Sequence, residues 1–224
     1  MDKLGTNIHI YGFWRSIATF RVRVALRLKG LPFEETPIDI LSGEQFKPEY
    51  AAVNAERVVP TFIHDGHSVF QSLAIMEYIE DIKREPRLIP LDPKERAYAR
   101  SLALMTVADA HPLVVPRVRN HLAKVFSADT HAIEQWGKHW TIEGLETYER
   151  LLARRAPTPF ALGAEPGLAD ICIAGQVVGA HFLKLDLAAF PIVAKLAERC
   201  FALPAFATSH PFEQPGYKAA NAAR

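Results

Sequence analysis

Between Val58 and Ile79 the chain reads VVPTFIHDGHSVFQSLAIMEYI, and the proline in this stretch leaves few folds open. Pro60 follows two valines in an extended run but has no N–H for a β-ladder, so it needs a sheet edge, a bulge or a cis peptide. Two short β-prone runs, Thr61–Ile63 and Ser68–Phe70, flank Asp65-Gly66, which predicts a tight hairpin. Gln71-Ser72 then precedes Leu73, Ile75, Met76 and Ile79, whose spacing covers one face of a helix. Ser72 is the expected N-cap, and the backbone N–H groups after it face outward, where an anion is favoured.

Upstream, Ile8–Tyr11 is β-prone, and Phe20, Val24 and Leu28 recur at helical spacing until Gly30 stops the pattern. Pro32–Ile40 reads as a second strand and Phe46–Ala52 as a short helix before the loop 54–59. The resulting order, βαβ then ββα, matches a thioredoxin-like fold, and the right-handed crossover rule sets the first two strands side by side in parallel. Residues 83–93 are dense in proline and charge, which suits a linker. The expected organisation is α/β plus all-α: a thioredoxin-like domain at 1–84, a linker at 85–90 and an all-helical domain at 91–224. In the second domain Asp92 caps a helix with Pro93 in its first turn, and Leu102, Met105, Ala108 and Leu113 continue the pattern until Pro112 and Pro116 bend or end it. Asp129–Leu152, Gly167–Lys184 and Pro191–Phe201 read as further helices, a set that fits a bundle.

With 49% hydrophobic residues in 224 there is enough apolar surface for a real core. A net charge of +1, from 26 basic and 25 acidic residues, gives no global attraction to nucleic acid or to an anionic membrane. The amino-terminal segment lacks the apolar core of a signal peptide and no apolar run approaches a membrane span, so a cytoplasmic location is expected. Cys172 and Cys200 form no C-x-x-C pair, and burial is the expected fate of both. His64 and His67 flank a turn with no nearby carboxylate or cysteine to complete a ligand set, so no metal site is expected. Arg21 and Arg23 sit two apart on one helix without an aromatic platform, which suits packing or ion pairing rather than nucleic acid. Asp170, three past Gly167, reads as part of a helix cap.

Phe13-Trp-Arg-Ser16, Arg21–Leu26, Gln71–Ile75, Asp109-Ala-His-Pro112, Leu168-Ala-Asp170 and Leu203-Pro-Ala-Phe206 stand in an order and spacing that resembles the zeta class of glutathione transferases over nearly the entire chain. The resemblance implies glutathione as cofactor, a homodimer, and a small electrophilic substrate, unsaturated or halogenated. It implies that Val59 and Pro60 pair with the cysteinyl backbone of glutathione and that Gln71 and Ser72 hold its γ-glutamyl carboxylate. Ser16 becomes the catalytic hydroxyl; on the residues alone it is an N-cap. A helix N-terminus and a hydroxyl hydrogen bond both favour a thiolate over a thiol, so the implied role is physically sound. Arg15 matches a substrate-carboxylate ligand of the maleylpyruvate isomerase branch, and a guanidinium fork suits a carboxylate. His111 and Arg117 fall where the second domain is expected to face the first, and are the other substrate-binding candidates. Glutathione transfer is the leading activity; maleylacetoacetate or maleylpyruvate isomerisation, or a non-catalytic binding module, are the alternatives.

Four departures from the family pattern matter. Ile17 and Ala18 follow Ser16 where the family carries a second hydroxyl and a thiol, although Thr19 lies nearby. Val114-Val115 replace a polar pair after His-Pro, His181-Phe182 replace a common arginine, and Gly167 replaces a Ser or Thr N-cap at a cost of only a few tenths of a kcal/mol. The first domain is thus expected to hold glutathione, and the substrate side to favour a less charged, more hydrophobic electrophile.

Overall fold

The alternation of Ile8–Gly12 builds strand β1, which buries Ile8, Ile10 and Gly12 and leaves His9 and Tyr11 half-buried. The computed structural model describes residues 7–217, so the readings that rest on Met1–Thr6 and on the last seven residues of 91–224 lie outside the described residues. Strand β1 is flanked by β2 (Glu34–Pro37), parallel to it, and by β3 (Thr61–His64), antiparallel. Strand β4 (His67–Phe70) completes the order β2-β1-β3-β4. Ile10 lies opposite Phe62, and both are fully buried. Asp65 and Gly66 take φ of 49° and 80°, the double left-handed turn that Asp-Gly favours. The second strand is shorter than the expected 32–40. Its pairing with β1 closes at Ile38, whose N–H donates to the Gly12 carbonyl at 2.7 Å, and beyond it the Asp39 carboxylate turns the chain by accepting from Leu41 N–H at 2.9 Å.

Helix α1 (Ile17–Leu28) crosses between the parallel strands, α2 (Pro48–Val53) leads into the loop before β3, and α3 (Ser72–Ile82) packs on α1. Three cations on or just after α1 are almost wholly buried, and each has a defined acceptor. Arg21 donates through Nε and Nη2 to Ser72 Oγ at 3.1 and 3.0 Å. Arg23 forms a two-pronged pair with Glu35 of β2, and Lys29 meets Glu80 of α3. Packing and ion pairing, the expected use of Arg21 and Arg23, is therefore what the fold makes of them.

The second unit, Leu88–Leu203, is helical. Asp92 caps α4 (Pro93–Leu104), its carboxylate accepting from Lys94 and Glu95 N–H at 3.0 and 2.9 Å. The helix then widens into a π-helical stretch, Met105–Ala110, and tightens into a 3-10 turn, His111–Leu113, around Pro112. Tyr148 OH donates to the Leu102 carbonyl at 2.6 Å, in the last turn before the change of pitch. Pro116, read from sequence only as a break, is the first residue of a separate helix α5 (Pro116–Phe126). Helix α6 (Thr130–Leu152) is capped by Asp129 through Ala132 N–H at 2.7 Å. Helix α7 (Leu168–Phe182) is buried along most of its length, with α4, α6 and α8 (Pro191–Phe201) packed on it.

The division falls between Arg87 and Leu88, inside the expected linker, and residues 204–217 return to the first unit. This differs from the assignment of 91–224 to one domain. Leu88 and Ile89 are buried, so the second half of the linker is core of the second unit. A short helix α9 (Pro204–Ala207) packs on α1, with Phe206 fully buried and its ring 6.5 Å from that of Phe20. Arg27 Nε reinforces this contact by donating to Ser209 Oγ at 3.2 Å.

Candidate functional site

Two helix starts in the first unit carry most of the expected site residues. At α1, Ser16 has extended backbone angles, φ −72° and ψ 119°, and its Oγ accepts from Thr19 N–H at 3.1 Å. Ser16 is thus an N-cap, and the cap leaves its hydroxyl hydrogen available to a ligand. Arg15 is exposed beside it, and Trp14 packs its ring 5.7 Å from Tyr217. Thr19 does not replace the missing second hydroxyl, because it is fully buried and its Oγ1 accepts from Phe13 N–H at 3.4 Å.

At the second start, the Val59–Pro60 peptide is cis, one of the three forms the sequence allows. The loop leading to it is fixed from below. Tyr50 OH donates to the Val58 carbonyl at 2.5 Å and lies 2.8 Å from Thr61 Oγ1, while Asn54 Nδ2 donates to both, at 3.1 and 2.9 Å. Burial pushes the Tyr50 phenol up, so it stays a donor. Nothing local in the sequence marks Tyr50 or Asn54 as the anchor of a loop.

Ser72 is not the N-cap of α3, as the sequence reading had it. Gln71 holds that position with φ 68° and makes no side-chain cap, while Ser72 is the first helical residue and is buried. Its oxygen serves Arg21 instead, and accepting twice from a guanidinium polarises the O–H that remains to donate. Gln71 turns its amide away from the helix, with Nε2 donating to both oxygens of Glu56 at 2.7 and 3.0 Å. Ser16, Val59, Pro60, Gln71 and Ser72 therefore share one unit, and Arg21 joins the helix that Ser16 caps to the helix that Ser72 begins.

His111 and Arg117 belong to the second unit. The His111–Leu113 turn is pinned by Trp136, whose Nε1 donates to the Leu113 carbonyl at 2.7 Å. Arg117 is exposed in the first turn of α5, behind Val115, which occupies the N-cap position without a capping side chain. A cation there opposes the helix dipole, so helix stability does not explain it. Burial lowers the pKa of His181, so it is a poor stand-in for a permanent positive charge. Asp170 is a cap: its carboxylate accepts from Gly167 and Ala161 N–H at 2.9 and 2.7 Å, and burial raises its pKa to about 6. Both cysteines are buried, and burial pushes the Cys200 thiol up, away from reactivity. Among the described residues no group of three His, Cys, Asp or Glu side chains is placed to hold a metal ion, and no helix is long and apolar enough to cross a membrane.

The geometry has parallels among known proteins. Residues 6–81 match the family model described as glutathione S-transferase, N-terminal domain. Maleylacetoacetate isomerase of Pseudomonas aeruginosa is 35% identical over 214 residues, covering 94% of this chain and 99% of the relative. The holo structure of a maleylpyruvate isomerase, described as a bacterial glutathione S-transferase in the zeta class, superposes with a TM-score of 0.88 at 34% identity, covering 92% of this chain and 98% of that one. The maleylacetoacetate isomerase of Methylobacterium extorquens AM1, crystallised with malonate and glutathione, gives a TM-score of 0.87 at 41% identity, over 93% of this chain and 98% of that one.

Proposed function

The chain belongs to the zeta class of the glutathione transferases, and from that premise we propose that it holds glutathione in its first unit and uses Ser16 to activate the thiol. The observation that carries this reading is the Ser16 hydroxyl at the start of α1, accepting from Thr19 N–H and left with a hydrogen to donate. A thiol placed there loses its proton to solvent more readily, because the helix end and the O–H both favour the thiolate. The thiolate then adds to an electrophilic carbon of a small substrate. If that carbon is conjugated to a carbonyl, the C–S bond forms as the electron pair moves to the carbonyl oxygen. The former double bond rotates, and expulsion of the thiolate restores it as the other isomer. If the carbon carries a halide, the halide leaves and the thioether stays.

The γ-glutamyl carboxylate belongs at the start of α3, where Ser72 supplies a polarised O–H, and the Val59–Pro60 segment belongs to the cysteinyl backbone. Arg15, His111 and Arg117 are the candidate substrate ligands. Retention of Ser16, of Val59-Pro60 and of Gln71-Ser72 opposes a non-catalytic module, since these are three separate parts of one cradle. Family membership supports a homodimer and a cytoplasmic location. Apolar Val114, Val115 and Phe182 favour an uncharged electrophile, whereas Arg117 on the uncapped α5 start favours an unsaturated acid and hence isomerisation.

Calorimetry with glutathione tests the first step, and absence of binding at millimolar concentration would refute it. Kinetics with maleylpyruvate beside a chlorodinitroarene separates the two substrate readings. Conjugation that outpaces isomerisation supports the apolar one; isomerisation alone supports the acid.

A further inference from the structure

Glu56 and Gln71 come from separate segments and meet at the start of α3. Gln71 Nε2 donates to both Glu56 oxygens at 2.7 and 3.0 Å. The turn that carries Glu56 is built into the fold: Glu56 N–H donates to Asn54 Oδ1 at 2.9 Å and Arg57 N–H to the Asn54 carbonyl at 3.0 Å. Asn54 is itself buried and fixed to Val58 and Thr61. Two residues in the left-handed region flank this contact, Arg57, next to Glu56, at φ 56° and Gln71 at φ 68°. Such a conformation disfavours a non-glycine residue, and the two together cost about as much as a charge-assisted hydrogen bond returns. Net stability therefore does not account for the arrangement.

We propose that Glu56 receives the α-ammonium of the γ-glutamyl residue of glutathione, and that Gln71 holds the Glu56 carboxylate in position for it. The inference rests on the glutathione reading given above. At neutral pH the γ-glutamyl residue carries an α-carboxylate and an α-ammonium on one carbon. The start of α3, with its N–H groups and the Ser72 hydroxyl backed by Arg21, attracts the carboxylate. The same positive helix end and the Arg21 guanidinium repel the ammonium, so the zwitterion fits only where an anion stands beside the helix start. Glu56 is the carboxylate hydrogen-bonded to the residue that heads α3. A carboxylate has acceptors only, so its free lone pairs match a donor-only ammonium.

Calorimetry on the full chain, parent and Glu56→Gln, with glutathione and with glutaryl-cysteinyl-glycine tests the assignment. The analogue keeps the carboxylate, thiol and peptide bonds and lacks only the α-amino group. The parent is expected to prefer glutathione over the analogue by about tenfold, the scale of one charge-assisted hydrogen bond. Glu56→Gln is expected to loosen glutathione by about tenfold and to leave the analogue within about twofold, with an unchanged thermal midpoint. Equal loss for both ligands would overturn the proposal, because Glu56 would then only shape the start of α3. Unchanged glutathione affinity in the variant would overturn it too, as would a parent that binds both ligands alike; in those cases the glutathione reading stands. A parent that binds neither ligand would remove that reading and this inference with it.

Discussion

The Ser16 hydroxyl oxygen accepts a hydrogen bond from Thr19 N–H at 3.1 Å, so one side chain both caps α1 and presents an O–H at its end. Ser16→Ala removes both functions. The bound glutathione thiol is expected to titrate at higher pH and turnover to slow, while the lost cap lowers stability by about 1 kcal/mol. Ser16→Thr keeps the hydroxyl and restores most of each. Thiolate absorbance against pH reads the first effect and urea unfolding the second. An unchanged thiol titration in Ser16→Ala would assign activation to the helix end alone, since buried Thr19 is not placed to substitute.

Ser72 is a less clean probe of ligand binding than its position suggests. Its oxygen is the acceptor for two N–H groups of buried Arg21, so Ser72→Ala removes a buried acceptor from that guanidinium. The expected loss is roughly 1–3 kcal/mol of stability together with weaker glutathione binding. Gln71→Ala, at an exposed position, is expected to change stability by no more than about 0.5 kcal/mol while still weakening glutathione. Urea unfolding of both variants beside calorimetry decides the matter. If Ser72→Ala unfolds like the parent, the Arg21 clamp contributes nothing.

What was legible in the sequence is what local chemistry determines. Asp65-Gly66 dictates its turn, Asp92 dictates its cap, and the hydrophobic spacing of α1 and α3 dictates their faces. The true partner of Ser72 was not legible, because it lies 51 residues away on another helix, and without it Ser72 reads as a cap. Pro116 is equally suited to ending one helix and to starting another, and only the turn at His111–Leu113 decides for the start of α5. The return of the tail was hidden for a similar reason: Phe206 finds its place against Phe20, far earlier in the sequence.

Two N-caps invert the simple propensity argument. At Gly167 the family pattern offers Ser or Thr, a nominal gain of a few tenths of a kcal/mol over glycine. A Cβ there would stand 2.7 Å from the Leu88 carbonyl oxygen, which also accepts from Leu168 N–H at 2.8 Å. That clash is with backbone, and relief by backbone shift costs about 1–3 kcal/mol, so Gly167→Ser is expected to destabilise. Val115 is the opposite case: with φ −69° and ψ 157° it has cap geometry but no capping atom. Val115→Asn is expected to add about 1 kcal/mol. Denaturant midpoints of the two variants are expected to move in opposite directions, and movement in the same direction would refute one of the two arguments.

Asp170 sets a pH dependence whose sign follows from its surroundings. Burial raises its pKa from 3.8 to about 6, against the lowering effect of the N–H groups of Ala161 and Gly167. Between these values the folded chain keeps a proton that the unfolded chain has released, so this contribution is full below about pH 4 and lost as pH rises through about 6. A shift of about two pK units corresponds to roughly 3 kcal/mol. Asp170→Asn cannot ionise and lacks this slope, although its single carbonyl oxygen serves the two N–H groups less well and the variant is less stable throughout. Unfolding free energies of parent and variant at intervals from about pH 4 to 7 are expected to show their gap narrowing by about 2–3 kcal/mol and then levelling. A gap that widens with pH would mean that the two backbone N–H groups outweigh burial and that the ionised carboxylate is the form the fold holds.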